Sequence, residues 1–256
     1  MAKPQAKPRN EIAVKKPEAM VLVQDQVPDY IRQESNRGSE NVGTEDIVIP
    51  RLEVIQGLSP AVKRGDPKYI QGAQAGMLTN SVTRQLYGDN VTVVPVYYTK
   101  QWLVWRDQSK GGGFAGAYET QQEAQARADK EGGEKEGWGC IDTPQHLCLL
   151  INPESHDCEE IMVSMPRTKA KISRQWNSMI RLAGGDRFSR AYTFGTALEK
   201  NDKGDFYNLT VTLTGFPTKV VYLRAEELYK RIASGARKVV MDTSDLDDHG
   251  AAGSEM

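Results

Sequence analysis

The stretch from residue 159 to 185 constrains the fold most, because it joins a strand pattern directly to a helix pattern. Apolar residues alternate with other residues up to Met165, as in a half-buried β-strand. Pro166 breaks this strand, Thr168 is placed to cap a new helix, and Gly184 is placed to end it. Between them, apolar residues recur at intervals of three and four, which predicts a helix with one buried face: Ile172, Trp176, Met179, Ile180 and Ala183.

The opposite side of this predicted helix, together with the residues around it, carries almost only positive charge. Between residues 167 and 190 there are seven Lys or Arg and one acid, although the whole chain has a formal net charge of −1. Solvated helix faces usually mix signs, because opposite charges four residues apart stabilise a helix and like charges repel. The local patch therefore favours a polyanion-binding surface, with an ordinary solvated face as the alternative. The candidate phosphate ligands are Arg167, Lys169, Lys171, Arg174, Arg181, Arg187 and Arg190.

A second candidate strip follows the strongest strand pattern, at residues 90–105, in which Pro95 predicts an edge strand or a bulge. Rings and cations alternate in its second half, a combination that holds single-stranded nucleic acid through base stacking and phosphate contacts. Lys100, Arg106 and Lys110 are expected to contact phosphates, and Tyr97, Trp102 or Trp105 to stack on bases. The two tryptophans could instead be core residues, and because they face opposite sides of a strand, at most one can point outward.

The remaining pattern predicts one α+β domain over residues 46–240, built mainly of antiparallel strands with flanking helices. Thr120 and Glu123 form a capping box for a surface helix that runs to about Lys130. Hairpins are predicted from residue 145 to the strand at 159 and from 192 to 213, followed by a short strand at 220–223 and a helix at 225–233. Residues 1–45 are expected to be a disordered, weakly basic arm and residues 241–256 a disordered acidic tail.

Several function classes are not favoured by the sequence. It has no secretory leader pattern, no apolar run that approaches the ~20 residues of a membrane span, and three cysteines without disulfide spacing. We therefore expect a cytoplasmic protein that does not enter a membrane. The GxSxG, P-loop, GxGxxG and HExxH motifs are absent, and no pair of carboxylates has a distinctive spacing. We expect a protein that is not an enzyme and needs no cofactor.

One cluster of potential metal ligands lies within nineteen residues: Cys140, His146, Cys148, His156 and Cys158. Such clustering makes zinc worth considering. In the predicted hairpin, however, Cys158 pairs near Ile151, about 10 Å along the ladder from Cys148 at ~3.3 Å per residue. These two thiols are too far apart to share one ion, and we expect no metal site.

Three segments together resemble a bacteriophage protein family: residues 47–83, residues 91–107 with the GGGF that follows at 111–114, and residues 164–180. Over about residues 46–225 the chain is similar to the single-stranded-DNA-binding RNA polymerase cofactor (Drc) family of podophages that carry a giant virion polymerase. The resemblance implies sequence-tolerant binding to single-stranded DNA, a fold other than the standard OB barrel, and a role in phage transcription or replication. A phage RNA polymerase or replication protein would be the partner, in the host cytoplasm.

The acidic tail also resembles the tails of single-stranded-DNA-binding proteins, which compete with DNA and recruit partners, although it lacks the terminal Phe of the bacterial kind. Two other classes stay open. One is a structural or scaffolding protein of the virion, with the helix as a subunit interface. The other is a protein that targets a host enzyme through its acidic tail. The sequence does not decide between a monomer and a homo-oligomer.

Overall fold

The computed structural model describes residues 37–43, 46–152, 157–201 and 204–235. The chain separates into two compact units, Met1–Val42 and Gly43–Met256, and the fold described below is that of the second unit. The predicted acidic tail, and all of the predicted N-terminal arm except residues 37–43, lie outside the described residues.

The described residues contain nine β-strands and three α-helices. In chain order they are β1 (Leu52–Val54), β2 (Leu78–Asn80), β3 (Leu86–Gly88), β4 (Asn90–Arg106), β5 (Phe114–Tyr118), α1 (Gln121–Lys130), β6 (Trp138–Ile151), β7 (Cys158–Ser164), α2 (Lys169–Ala183), β8 (Ala191–Asn201), β9 (Gly204–Gly215) and α3 (Lys219–Ala233). None of the helices in this part of the chain is long and apolar enough to cross a membrane.

The strands form two antiparallel sheets. The smaller sheet has the order β1-β2-β3, and the larger has the order β7-β6-β4-β8-β9, with β5 pairing with the C-terminal part of β4. Neither sheet closes into a barrel within the described residues. The predicted α+β class with a mainly antiparallel sheet, and the departure from the OB barrel, are therefore confirmed. The two predicted hairpins are present as β6-β7 and β8-β9, with their tips at 153–156 and 202–203 outside the described residues.

The longest strand, β4, lies in the middle of the larger sheet. It pairs with β6 from Thr92, opposite Ile151, to Arg106, opposite Trp138. The register shifts between Pro95 and Tyr97, so Pro95 lies at a β-bulge, where its missing N–H interrupts the ladder least. The predicted bulge at Pro95 is therefore confirmed. The alternative prediction of an edge strand is wrong, because β4 has neighbours on both sides.

Helices cover both faces of the larger sheet. We call the face under α2 the front face and the face under α3 the back face. The front core includes Val93, Trp176 and Phe194, together with side chains of the smaller sheet. The back core includes Leu147 and Leu228. Because α2 and α3 lie on opposite faces, the charges that they expose belong to different surfaces of the protein.

Helix α2 has nearly the predicted bounds, but its N-terminal cap differs. Thr168 already has helical backbone angles, φ −58° and ψ −35°, and its side chain accepts no capping hydrogen bond. An N-cap residue needs an extended backbone for this bond, so the predicted cap is wrong. Trp176 is fully buried, as predicted, whereas Ala183 at the end of the predicted apolar stripe is exposed.

Helix α3 replaces a predicted strand. Residues 220–223, which their β-branched residues predicted to be extended, form the first turns of α3. Thr218 caps the helix by accepting a hydrogen bond from the backbone N–H of Val221. Val221 and Leu228 are buried with helical spacing against the back face, and this packing overrides local strand propensity. The capping box of α1 at Thr120 and Glu123 is confirmed.

Candidate nucleic-acid interface

Four cations form a row along the exposed side of α2 and the turn before it: Arg167, Lys171, Arg174 and Arg181. We call this set the α2 row. Within the helix, the steps of three and seven residues from Lys171 through Arg174 to Arg181 keep these side chains on one side, and Arg167 lies in the turn before the helix. At a rise of 1.5 Å per residue, the helical part of the row from Lys171 to Arg181 is about 15 Å long.

The fold does not neutralise the charge of this row. Helix α2 contains no Asp or Glu. Within the described residues, no side chain of the α2 row forms an ion pair or a hydrogen bond, whereas other cations such as Arg127 and Lys230 pair with glutamates one helical turn away. Four unpaired charges on one exposed surface create a local positive potential that attracts anions.

The first member of the row has an unusual backbone. Arg167 has φ 54°, and the described residues contain one other non-glycine residue with positive φ, Arg84 at 59°. A side chain in this region costs ~1 kcal/mol or more that glycine avoids. Arg167 therefore lies in a tight turn between β7 and α2, outside the helix itself.

Lys169, a predicted phosphate ligand, lies on the inner side of α2. It precedes the buried Ser173 by four residues and Trp176 by seven, so it shares their side of the helix. Burial lowers the pKa of Lys169, and the nearby carboxylate of Glu53 on β1 opposes this shift. This lysine therefore lies near a half-buried acid, and it does not belong to the exposed row.

Arg187, another predicted phosphate ligand, uses its donors inside the protein. Its Nη2 donates to His146 Nδ1 over 2.6 Å, and both Nη atoms donate to Asn177 Oδ1 over 3.0 and 3.1 Å. The guanidinium carbon lies 5.4 Å from the ring centroid of Tyr98 and 5.8 Å from that of Trp176. Arg187 thus ties α2 to the front face of the sheet, and the structure removes it from the set of surface cations.

His146 is the centre of this internal network. It is fully buried on β6, stacks on Trp176 at a centroid distance of 4.5 Å, and lies 2.8 Å from Ser173 Oγ through its Nε2. An arginine can only donate, so His146 Nδ1 must accept from Arg187 and Nε2 must carry the proton. Burial, and then the charge of Arg187, hold the pKa of His146 well below its usual value. The imidazole is neutral and serves as a structural group.

Arg190 lies just beyond the C-terminal end of α2. Its Nη2 donates to the carbonyl oxygen of Ala183 over 3.4 Å, and its Nη1 donates to that of Ser189 over 3.2 Å. Its guanidinium carbon is 4.2 Å from the ring centroid of Phe216. A cation at a helix C-terminus is favourable because the last carbonyls carry partial negative charge. This predicted phosphate ligand is therefore partly engaged within the fold, next to an exposed ring.

The second predicted strip is neutralised in part by acids. Lys100 Nζ lies 3.2 Å from Asp142 Oδ2, and Arg106 Nη2 lies 3.2 Å from Glu136 Oε2. Lys110 is exposed and forms no ion pair among the described residues. Exposed ion pairs of this kind contribute little to stability, and their acids can be exchanged for other anions. They nevertheless leave this strip with less net positive charge than the α2 row has.

The three rings that the sequence predicted to stack on bases are each half-buried. Tyr97 packs against the back core. Trp102 packs in a small cluster with α1, and Lys100 Nζ lies 4.5 Å from its ring centroid. Trp105 packs on Phe114 at a centroid distance of 5.0 Å. The structure does not bring these rings together on one surface beside the α2 row.

The cysteines lie in separate parts of the core. Cys148 belongs to the front core and Cys158 to the back core, so the sheet itself lies between them. Cys140 packs near α1, and His156 lies outside the described residues. Within residues 37–43, 46–152, 157–201 and 204–235, no three His, Cys, Asp or Glu residues are grouped so that they could hold a metal ion.

Comparison with known proteins identifies a family. Residues 17–238 match the model of a family described as Pam3 phage gp34-like protein. No curated protein and no solved structure matches the chain. The match agrees with the phage part of the resemblance noted in the sequence, and it does not extend to the Drc cofactors specifically. Because it covers most of the chain, this protein belongs to the Pam3 phage gp34-like protein family.

Proposed function

We propose that this phage protein binds single-stranded DNA without sequence preference through the α2 row, in support of phage transcription or replication. The observation that carries the proposal is the row itself: four exposed cations, unpaired among the described residues, of which three lie on a helix without acids and one in the turn before it. The sequence resemblance to the Drc family supports single-stranded DNA as the ligand and a phage RNA polymerase as the partner. We further propose that the protein is not an enzyme.

The chemistry of the row suits phosphate rather than base edges. Arg and Lys at intervals along one helix side contact successive phosphates, and such contacts position a strand without reading its sequence. Each neutralised phosphate of a single strand contributes ~0.7 to the slope of log K against log salt. If all four row cations engage, we expect a slope of about −2.8.

The test is fluorescence anisotropy with labelled oligothymidine and with a duplex of equal length, over a series of salt concentrations. We expect salt-sensitive binding that favours the single strand. The double variant Arg174→Ala/Arg181→Ala should weaken binding and reduce the magnitude of the salt slope by about 1.4, since two phosphate contacts are lost. Its matched control is Arg224→Ala/Arg231→Ala, which removes two exposed cations of α3, also seven residues apart, on the opposite face of the sheet.

The possible results of this test distinguish DNA binding from the two alternative functions. A slope near zero, or no binding to either probe, would refute the proposal and leave α2 as a protein interface, as expected of a virion scaffolding protein. Equal losses in the two double variants would place the DNA elsewhere or make the attraction unspecific. If the chain without residues 241–256 lost binding to a host protein but kept its affinity for DNA, the acidic tail would have a separate role.

A further inference from the structure

Three large apolar side chains are the most exposed of their kind among the described residues. They are Leu182, 88% exposed, Val220, 77% exposed, and Phe216, 75% exposed. Leu182 adjoins the residue whose carbonyl accepts from Arg190, Phe216 lies under its guanidinium, and Val220 follows four residues later in α3. Of these three, Phe216 is in contact with Arg190, and its ring is an exposed planar surface on which a ligand can stack.

Phe216 is held in place although it is exposed. The guanidinium of Arg190 stacks on the ring at 4.2 Å, and two main-chain carbonyls fix that guanidinium over 3.2 and 3.4 Å. Pro217, which follows, has a fixed φ and restricts the backbone further. An ordered ring loses little conformational entropy when a planar ligand stacks on it.

The ring also lies at one end of the α2 row. Arg190 joins Phe216 to the carbonyl of Ala183, which is the last residue of α2 and follows Arg181, the last cation of the row, by two positions. A strand whose phosphates follow the row therefore reaches the Phe216 ring as it passes the C-terminal end of α2.

We propose that Phe216 is a base-stacking residue that receives one nucleobase of the single strand on the α2 row. This rests on the proposed function. Stacking requires a π face, which every base has, so the contact is compatible with binding that tolerates any sequence. Arg190 supports the ring from one side, and the exposed remainder of the ring contacts the base. The phosphates beside that base meet Arg181.

The test compares Phe216→Leu with Phe216→Trp on two probes of equal length, oligothymidine and an abasic oligonucleotide with the same phosphates. Phe216→Leu keeps an apolar side chain but removes the ring. We expect it to weaken oligothymidine binding about 5- to 150-fold, the range for one stacked base, with the salt slope and the affinity for the abasic strand unchanged. Phe216→Trp should bind oligothymidine at least as well as the unaltered protein.

The failures of the two proposals can be told apart. If the unaltered protein bound neither probe, the proposed function would fail and this inference with it. If it bound oligothymidine with the expected salt slope and Phe216→Leu bound equally well, the inference alone would be overturned. It would also be overturned if Phe216→Leu weakened both probes equally, or altered only self-association in sedimentation. Because Phe216 is exposed, both variants should unfold at the same urea concentration as the unaltered protein.

Discussion

Acid should destabilise this protein through His146 before its carboxylates titrate. In the folded state the ring is neutral, because burial and the charge of Arg187 hold the pKa of His146 well below its usual value. Protonation at Nδ1 would place an N–H against the Nη2 donor of Arg187, which lies 2.6 Å away. The other close groups, Ser173 on α2 and Tyr98 on β4, supply no negative charge. In the unfolded chain, nothing hinders the protonation of His146.

The sign and size of this pH effect on stability follow from the linkage between proton binding and folding. Below pH 6.5, the usual pKa of histidine, the unfolded state binds a proton that the folded state does not, so the free energy of unfolding falls as pH falls. Between pH 7 and pH 5, if the folded ring stays neutral throughout, the loss from His146 reaches about 2 kcal/mol. With an m-value of about 2 kcal/mol per molar in urea, this moves the unfolding midpoint by about 1 M.

The assay is urea unfolding followed by tryptophan fluorescence at pH 7, 6 and 5, with His146→Gln as the comparison. The variant keeps a polar group on β6 but cannot titrate in this range. It should be less stable than the unaltered protein at pH 7, with a flatter dependence on pH. His156 and His249 are present in both proteins, so the difference between the two pH profiles isolates His146. Parallel profiles would refute the buried neutral histidine.

Two further predictions concern stability and thiol access. Trp176→Ala should lower the free energy of unfolding by about 3–5 kcal/mol because the ring is fully buried, whereas Arg174→Ala/Arg181→Ala should change it by less than about 1 kcal/mol; urea unfolding checks both. With a thiol reagent at pH 8, Cys140 should react first because it alone of the three cysteines is not buried, while burial raises the pKa of Cys148 to about 12. Rapid reaction of two thiols in the native protein would contradict the packing.

The parts of the fold that the sequence predicted correctly are those in which local pattern and packing agree. The strand at 90–105, both hairpins and α2 combine strong periodicity with clear breakers such as Pro166 and Gly184, and α1 begins at a capping box. The strand prediction for residues 220–223 was wrong because three β-branched or aromatic residues in a row favour a strand locally. The packing of Val221 and Leu228 on the back face selects the helix instead. The order of the sheet, with β4 between β6 and β8, depends on long-range pairing that no local pattern contains.

The candidate site was predictable to the extent that helical spacing decides it. Lys169 could have been separated from the α2 row, because it precedes the predicted buried Trp176 by seven residues. Arg187 could not, since it lies beyond the helix, where no period tells an inner side chain from an outer one. Phe216 lies between Gly215 and Pro217 and belongs neither to the preceding strand pattern nor to the following helix pattern. This isolation was the one signal in the sequence of an exposed ring.

The cations that looked alike in the sequence have two different roles, and the second depends on the first. Arg187 and Lys169 face inward. Arg187 joins Asn177 of α2 to His146 of β6, Lys169 lies near Glu53 of β1, and these contacts fix the orientation of α2. That orientation turns the other side of the helix outward and leaves its charges without partners among the described residues. A cation on the inner side stabilises a fixed geometry, because its charge is already balanced or its donors are already used. A cation on the outer side repels its neighbours until an anion arrives, and that repulsion favours binding of a polyanion.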